Sequence, residues 1–339
     1  MAIDELSPLP AALAGDQEAF QRLVEPYRRE LLVHCYRFLG ALEDAEDMLQ
    51  ETLLRAWRSL ASYAGRASFR AWLYKIATNV CLDALDRRRV RSLPNVVSRP
   101  AVPGQPLPAA VLEPVWLEPL PDAALEGLPA GPAADPEAVY EARESVTLAF
   151  LAVLQQLPGR QRAALILRDV LGFSADETAA MLDMTTAAVN SALQRARATM
   201  NERVERPAPL PAEGQQADLL QRYVRAWESA DSAGLVSLLR ADVLLTMPPV
   251  PAWYQGLDNV LAFLDGFLFS PPAPGRLRLL PTRANAAPAF AVYERAADGV
   301  YRPAALQVLR LAGDHIAQID DFLTTDPAFF ARFGLPASL

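Results

Sequence analysis

Cysteine and histidine are scarce in this chain of 339 residues, with two of each. Cys35 and Cys81 lie far apart inside helical patterns and no CxxC pair occurs, so neither a disulfide framework nor a zinc site is expected. They read as two reduced core thiols of a cytoplasmic protein. No apolar run reaches 18 residues, which excludes a membrane-spanning helix. Residues 1–10 lack the basic-then-apolar order of a signal peptide. Excess positive charge is missing too, since the formal net charge is −8, and this argues against a protein that simply coats nucleic acid. What remains is a soluble globular composition, 52% apolar and 21% charged, on a chain long enough for two or three domains.

Residues 16–91 predict helices. Asp16 caps the first, with Phe20, Leu23, Val24, Tyr27, Leu31 and Leu32 at helical spacing behind it and Pro26 forcing a kink or break. A second helix runs from about Leu42 to Leu60 with Leu49, Leu53, Ala56 and Trp57 on one face, and a third from Phe69 to about Arg89. The next stretch, residues 92–140, holds eleven of the 29 prolines and a net charge of about −6 counting Glu141, which predicts a flexible acidic linker. Residues 141–205 are helical again. A second proline-rich joint, PAPLPAEG, leads into a mixed block of helices (217–230, 258–269) followed by alternating stretches such as PAFAVYERA, AALQVLRLAG and HIAQIDDFL. That order predicts an α+β sheet curled around its helices.

The positive charge is local. The third helix ends CLDALDRRRVR, placing Arg87, Arg88, Arg89 and Arg91 together, and upstream Arg66, Arg70 and Lys75 interleave with Tyr63, Phe69, Trp72 and Tyr74. Arginines neutralise phosphates and aromatic faces stack unpaired bases. Asn79 shares a helix face with Lys75 and Trp72, and its amide both donates to and accepts from a base edge. The competing reading makes Trp72, Leu73, Ile76 and Val80 core and the arginines a solvated helix end.

Further on, DETAAMLDMTTAAVNSALQRAR reads as a short helix, a tight turn and a second helix, preceded by a Ser174/Glu177 capping box, with Thr185 or Thr186 as the second cap. Ala179, Leu182, Val189 and Leu193 form the buried side. Thr186, Asn190, Ser191, Gln194, Arg195 and Arg197 fall on the outer side, where small, amide and guanidinium groups suit base edges and phosphates in a major groove.

Three motifs together, DAEDMLQETLLRAW, FRAWLYKIATNVCLDALDRRR and LPGRQRAALILRDVLGFSADETAAMLDMTTAAVNSALQRAR, resemble the extracytoplasmic-function group of the sigma-70 family, promoter-recognition subunits of bacterial RNA polymerase. The resemblance covers about residues 10–91 and 141–205 and implies two all-α sigma domains: a region 2 domain over 10–91 and a region 4 helix-turn-helix over 141–206, with the linker between them. By position, Asp44, Asp47, Gln50 and Glu51 would dock on the polymerase clamp. Arg66, Phe69, Trp72, Lys75, Asn79, Arg87, Arg88 and Arg89 would melt and read the −10 element. Thr186, Asn190, Ser191, Gln194, Arg195 and Arg197 would read the −35 element. The implied partners are core RNA polymerase, through its clamp and flap, and promoter DNA, with no cofactor, metal or membrane.

Residues 212–333 resemble a SnoaL-like, NTF2-type cone domain, and WLEPLPD (116–122) looks like the signature of sigma factors that carry this extension, similar to the actinobacterial SigG-like group. Such an extension is expected to regulate in cis, by taking a small ligand or by docking within the molecule, with Phe329, Phe330 and Phe333 either as apolar anchors for that docking or as caps of the domain's own core. The alternative, a SnoaL-type enzyme fused to a DNA-binding regulator, needs a general base. Asp320 and Asp321 lie on a strand and Trp227, Trp253, Tyr254 and Tyr293 could line a pocket. His315, however, follows a Gly-Asp turn, and no catalytic constellation emerges.

Overall fold

The computed structural model describes residues 7–87, 89–113, 115–127, 144–204, 213–270 and 274–339. Arg88, expected at DNA, lies outside them. The chain divides into two compact units, the first built from Met1–Arg91 with Ala124–Val204 and the second from Ser92–Ala123 with Glu205–Leu339.

Among the described residues, the regular elements of unit 1 are all helices. After a short α1 (Leu9–Leu13), α2 (Gln17–Val24) starts where Asp16 Oδ1 accepts from the amides of Glu18 and Ala19, and it buries Phe20, Leu23 and Val24. Pro26 breaks the helical run, giving one 3-10 turn before α3 (Arg28–Leu39). Most of α3 is buried, polar residues included, which marks it as the central helix. Around it pack α4 (Leu42–Ser59), with Leu49, Leu53 and Ala56 inward, and α5 (Phe69–Leu85), capped by Ser68. The helix expected to reach Arg89 stops at Leu85, so Arg87 and Arg89 leave its end as exposed chain.

The second half of unit 1 begins with α7 (Leu148–Leu154), capped by Thr147, and α8 (Gly159–Leu165), which runs into one π-helical turn (Ile166–Val170). Then α9 (Ala175–Leu182) opens on the reciprocal Ser174/Glu177 capping box. It ends at Asp183, a non-glycine residue in the left-handed region (φ 50°), and α10 (Thr186–Arg203) starts on the Thr185 cap. Ala179, Leu182, Val189 and Leu193 are all buried, as their spacing predicts.

Unit 2 is a six-stranded sheet in the order β2-β1-β6-β5-β4-β3 with helices on one face. Its strands are β1 (Leu239–Thr246), β2 (Trp253–Gln255), β3 (Leu277–Ala284), β4 (Ala287–Arg295), β5 (Tyr301–Ala312) and β6 (His315–Leu323). Among the described strands of this sheet, only β1 and β6 pair in parallel. Helices α11 (Glu213–Ser229), α12 (Ser232–Val236) and α13 (Leu257–Phe263) supply Tyr223, Trp227, Leu235, Val260 and Phe263 to one core with the inward side chains Phe290, Leu309 and Ile319. This is the α+β cone that the strand pattern predicts. After it, α14 (Pro327–Ala331) buries Phe330 completely, its ring 5.5 Å from that of Tyr293 on β4, so this expected docking anchor caps its own domain.

The proline-rich stretch differs from expectation. Residues 92–123 are not loose chain but part of unit 2. Proline removes helix, through its missing N–H and fixed φ, yet leaves the other amides and the apolar side chains free to dock. A short α6 (Pro94–Val97) follows Ser92, whose N–H donates to Val115 O and whose carbonyl accepts from Leu117 (2.8 and 2.9 Å). Leu117 and Leu120 are fully buried. The Leu120 N–H donates to Asn285 Oδ1 (2.8 Å), and Asp122 accepts from Arg283 and from the Ala286 amide (2.9 and 2.8 Å). Asn285 and Ala286 form the tight β3–β4 turn, both at positive φ, as a two-residue hairpin turn of this hand requires.

Candidate nucleic-acid and polymerase interface

On α10 the outer face is presented as expected. Asn190, Ser191, Gln194 and Arg195 are exposed, and Arg195 donates to Ser191 Oγ (2.7 Å), an arrangement that splays the guanidinium along the helix. Thr186 is half-buried and donates to Asp176 (3.0 Å), tying the two helices of the motif together. Arg197 makes a bidentate pair with Asp169 (2.8 and 2.7 Å), whose hydrogen bonds hold its guanidinium above the usual range, so it first serves to brace α10 against the π turn. Beside it runs a shallow groove lined by Arg168, Asn190, Gln194, Arg197 and Asn201. Asn201 continues the Asn190, Gln194, Arg197 stripe at helical spacing, a signal the sequence already carries.

Around α5 the aromatic residues form one cluster. Phe69 is 3% exposed and stacks on Trp72 (5.4 Å between ring centroids), with Tyr63 and Tyr27 edge-on to it. It is therefore the floor of the cluster, while Tyr27, Tyr63 and Trp72 are half-buried around it. Asn79 is half-buried on the same helix, and Arg66 and Arg87 are exposed. Lys75 is already engaged: its Nζ donates to Ala180 O and to Asp183 Oδ1, both at 2.8 Å.

The expected polymerase-docking residues separate in the same way. Asp47, Gln50 and Glu51 line a groove between α4 and α5 with Arg55, Asp83 and Arg87. Asp44 instead pairs with Arg91 at 2.7 Å, a contact in which both side chains are mostly buried. It fixes the chain leaving α5 against α4.

Helix α9 lies along α5, and Arg70, which the sequence grouped with the phosphate-binding charges, instead helps to fasten the two halves of unit 1. Arg70 pairs with Glu30 (3.1 Å), and its guanidinium carbon lies 4.8 Å from the Tyr74 ring centroid and 5.1 Å from that of Phe173. Arg162, 1% exposed, donates to the carbonyls of Phe38, Gln155 and Leu157 and to Gln155 Oε1, and Gln155 Nε2 donates to Arg37 O. Burial pulls the Arg162 guanidinium down to about 10. Desolvation, and then the Arg37 and Arg70 charges, pulls His34 down to about 3, so it stays neutral and bonds to Thr78 (3.0 Å). Gly159 opens α8 where a Cβ would sit 3.0 Å from Leu82 Cδ2 on α5, so the two helices approach closely there.

Comparison with known proteins adds three findings. Residues 23–91 match the model of Sigma-70 region 2 and residues 147–200 that of Sigma-70, region 4. The chain is 45% identical over 327 residues to ECF RNA polymerase sigma factor SigG of Mycobacterium tuberculosis, covering 94% of this chain and 85% of that one. It is 32% identical over 192 residues to SigM of the same species, covering 57% of this chain and 80% of the relative. Among solved structures, the extracytoplasmic function sigma factor SigJ of M. tuberculosis superposes with a TM-score of 0.58 at 25% identity, over 91% of this chain and 97% of that one.

Proposed function

The chain belongs to the extracytoplasmic-function sigma factors, and from that premise we propose how its residues divide the work of promoter recognition. Helix α10 reads the −35 element through Asn190, Ser191, Gln194 and Arg195, with Arg197 and Asn201 beside the backbone. Helix α5 and the loop before it take the opened −10 strand, with Trp72 and Tyr63 stacking, Asn79 reading an edge and Arg66, Arg87 and Arg89 on phosphates. The α4 groove, Asp47, Gln50 and Glu51, meets the polymerase clamp in the cytoplasm. The chain has no chemistry of its own; strand separation and recognition are its contribution while polymerase makes the bonds. Unit 2 regulates in cis.

The observation that carries this reading is the helix-turn-helix whose apolar side is fully buried while the amide and guanidinium side stands exposed. Lys75 favours a closed resting state, because a residue suited to DNA phosphate is held by the turn of the other DNA-reading domain. Core binding then has to shift the population towards an open form. Transcription by Arg195→Ala tests the assignment. A bidentate base contact is worth about 1–3 kcal/mol, so output should fall about tenfold on the matched −35 sequence while affinity for core polymerase is unchanged. Equal output from variant and parent across a panel of −35 substitutions would sink it.

A further inference from the structure

The groove beside α10 has the chemistry of an anion seat. Arg168 lines it from the π turn, and Asn190, Gln194, Arg197 and Asn201 line it from the helix. None of the described residues that line it is acidic. Guanidinium and amide donors with no competing negative charge among them suit a phosphate, which brings both charge and several acceptor oxygens.

Both guanidiniums are held in place with donors to spare. Arg168 Nη1 donates to the Phe173 carbonyl, while its buried Nε has no partner. Arg197 meets Asp169 along one edge only, Nε to Oδ2 and Nη2 to Oδ1. A guanidinium has five N–H donors, so the edge formed by Nη1 and the outer Nη2 proton has no protein partner among the described residues. The Arg197 side chain is 56% exposed, which leaves that edge within reach of a partner from solution.

Asp169 stands behind this arginine, outside the groove lining. Bracing α10 does not by itself call for a charge. Val189, Leu193, Ala196 and Met200 already fasten the helix by burial, and an ion pair this exposed adds little to stability. Its electrostatic effect is direct: a carboxylate paired to Arg197 cancels the charge that a phosphate would meet. Affinity for a DNA backbone, and the dependence of that affinity on salt, grow with each protein charge that neutralises a phosphate. Cancelling one such charge lowers both.

We propose that the groove seats one backbone phosphate of promoter DNA between Arg168 and Arg197, and that Asp169 is a built-in counter-charge that holds this sequence-independent affinity down. Recognition then leans on base edges, and the many non-specific sites of a genome compete less for the protein. This rests on α10 being the helix that reads DNA, which Arg195→Ala probes separately.

The test measures the affinity of the full chain with core polymerase for a promoter duplex, by fluorescence anisotropy, between about 50 and 200 mM salt. Asp169→Asn should bind several-fold more tightly at the low end. Its slope of log affinity against log salt should steepen by about 0.9, so that the gain shrinks roughly threefold across the range. Arg197→Ala and Arg168→Ala should weaken binding with a shallower slope, equally on every −35 sequence, since phosphate contacts carry no sequence information. A mere brace predicts that Asp169→Asn and Arg197→Ala fail alike, because each breaks the same pair; opposite signs mark a counter-charge. Weaker binding or an unchanged slope in Asp169→Asn overturns the proposal. So does a loss in Arg197→Ala confined to one −35 position, which would make that arginine a base reader. Weaker binding by Arg195→Ala with no change in Asp169→Asn overturns the counter-charge and leaves α10 as the reader, whereas no change in either overturns both.

Discussion

The two units bury polar side chains to opposite ends. In unit 1, the two terminal nitrogens of Arg162 donate to four acceptors, while its Nε–H is left without one, and Arg70 is held between a carboxylate and two rings. These contacts join helices that come from residues far apart in the chain, so they fasten one half of the unit to the other. Gln307 in unit 2 commits its oxygen to Tyr223 and faces Asp321 across the strands, so these polar groups serve one another inside a single sheet and its helix. The lesson is that burial of a polar group has no fixed meaning; what its partners join decides whether it fastens distant elements together.

Removing a fastener should produce the largest effect. Arg162→Met keeps the apolar stem and strands three carbonyls, and unfolding of unit 1 in denaturant should lose about 3–5 kcal/mol. A loss below about 1 kcal/mol would erase the distinction just drawn.

Acidity should divide the units next, with opposite signs. The Asp321 carboxyl is raised to about 7 in the fold, against about 3.9 in unfolded chain, so its contribution is full below pH ~4 and is lost as pH climbs to about 7. His34 is lowered to about 3 from 6.5, so its contribution is present above about 6.5 and is lost as pH falls from there towards 3. Hydrogen exchange resolved by peptide should therefore show β6 gaining protection on acidification while α3 loses it, each by up to a few kcal/mol. Asp321→Asn should flatten the β6 response alone. Parallel slopes in both units would contradict it.

The smallest change belongs to the exposed pair. Lys75 and Asp183 are 39% and 75% exposed, so Lys75→Ala should alter unit 1 stability by less than about 1 kcal/mol. A larger loss would place this contact among the fasteners.

Much of this architecture was legible from local chemistry. Asp16, Ser174 and Thr185 cap the helices their side chains announce, Pro26 breaks the run it sits in, and the alternation of β4 to β6 survives as sheet. What escaped depends on contacts distant in sequence. Nothing near Lys75 reveals Asp183, 108 residues on, and nothing near Leu120 reveals the Asn285 carbonyl that takes its amide, 165 residues on. Phe69 had the right chemistry for a base and the wrong depth, because three neighbouring rings close over it. Residues 92–123 mislead for a different reason: proline content speaks to helix formation and is silent on whether Leu117 and Leu120 find a cavity.

Asp183 deserves a last consequence. It ends α9 in the left-handed region, where glycine incurs no Cβ penalty and an ordinary residue loses roughly 1 kcal/mol. An engineer seeking a more robust protein would write Asp183→Gly and relax that backbone. The same edit would delete the carboxylate that holds Lys75, leaving a turn that is easier to make and a lysine tethered by the Ala180 carbonyl alone. Tolerance of heat and restraint at rest thus compete for a single codon.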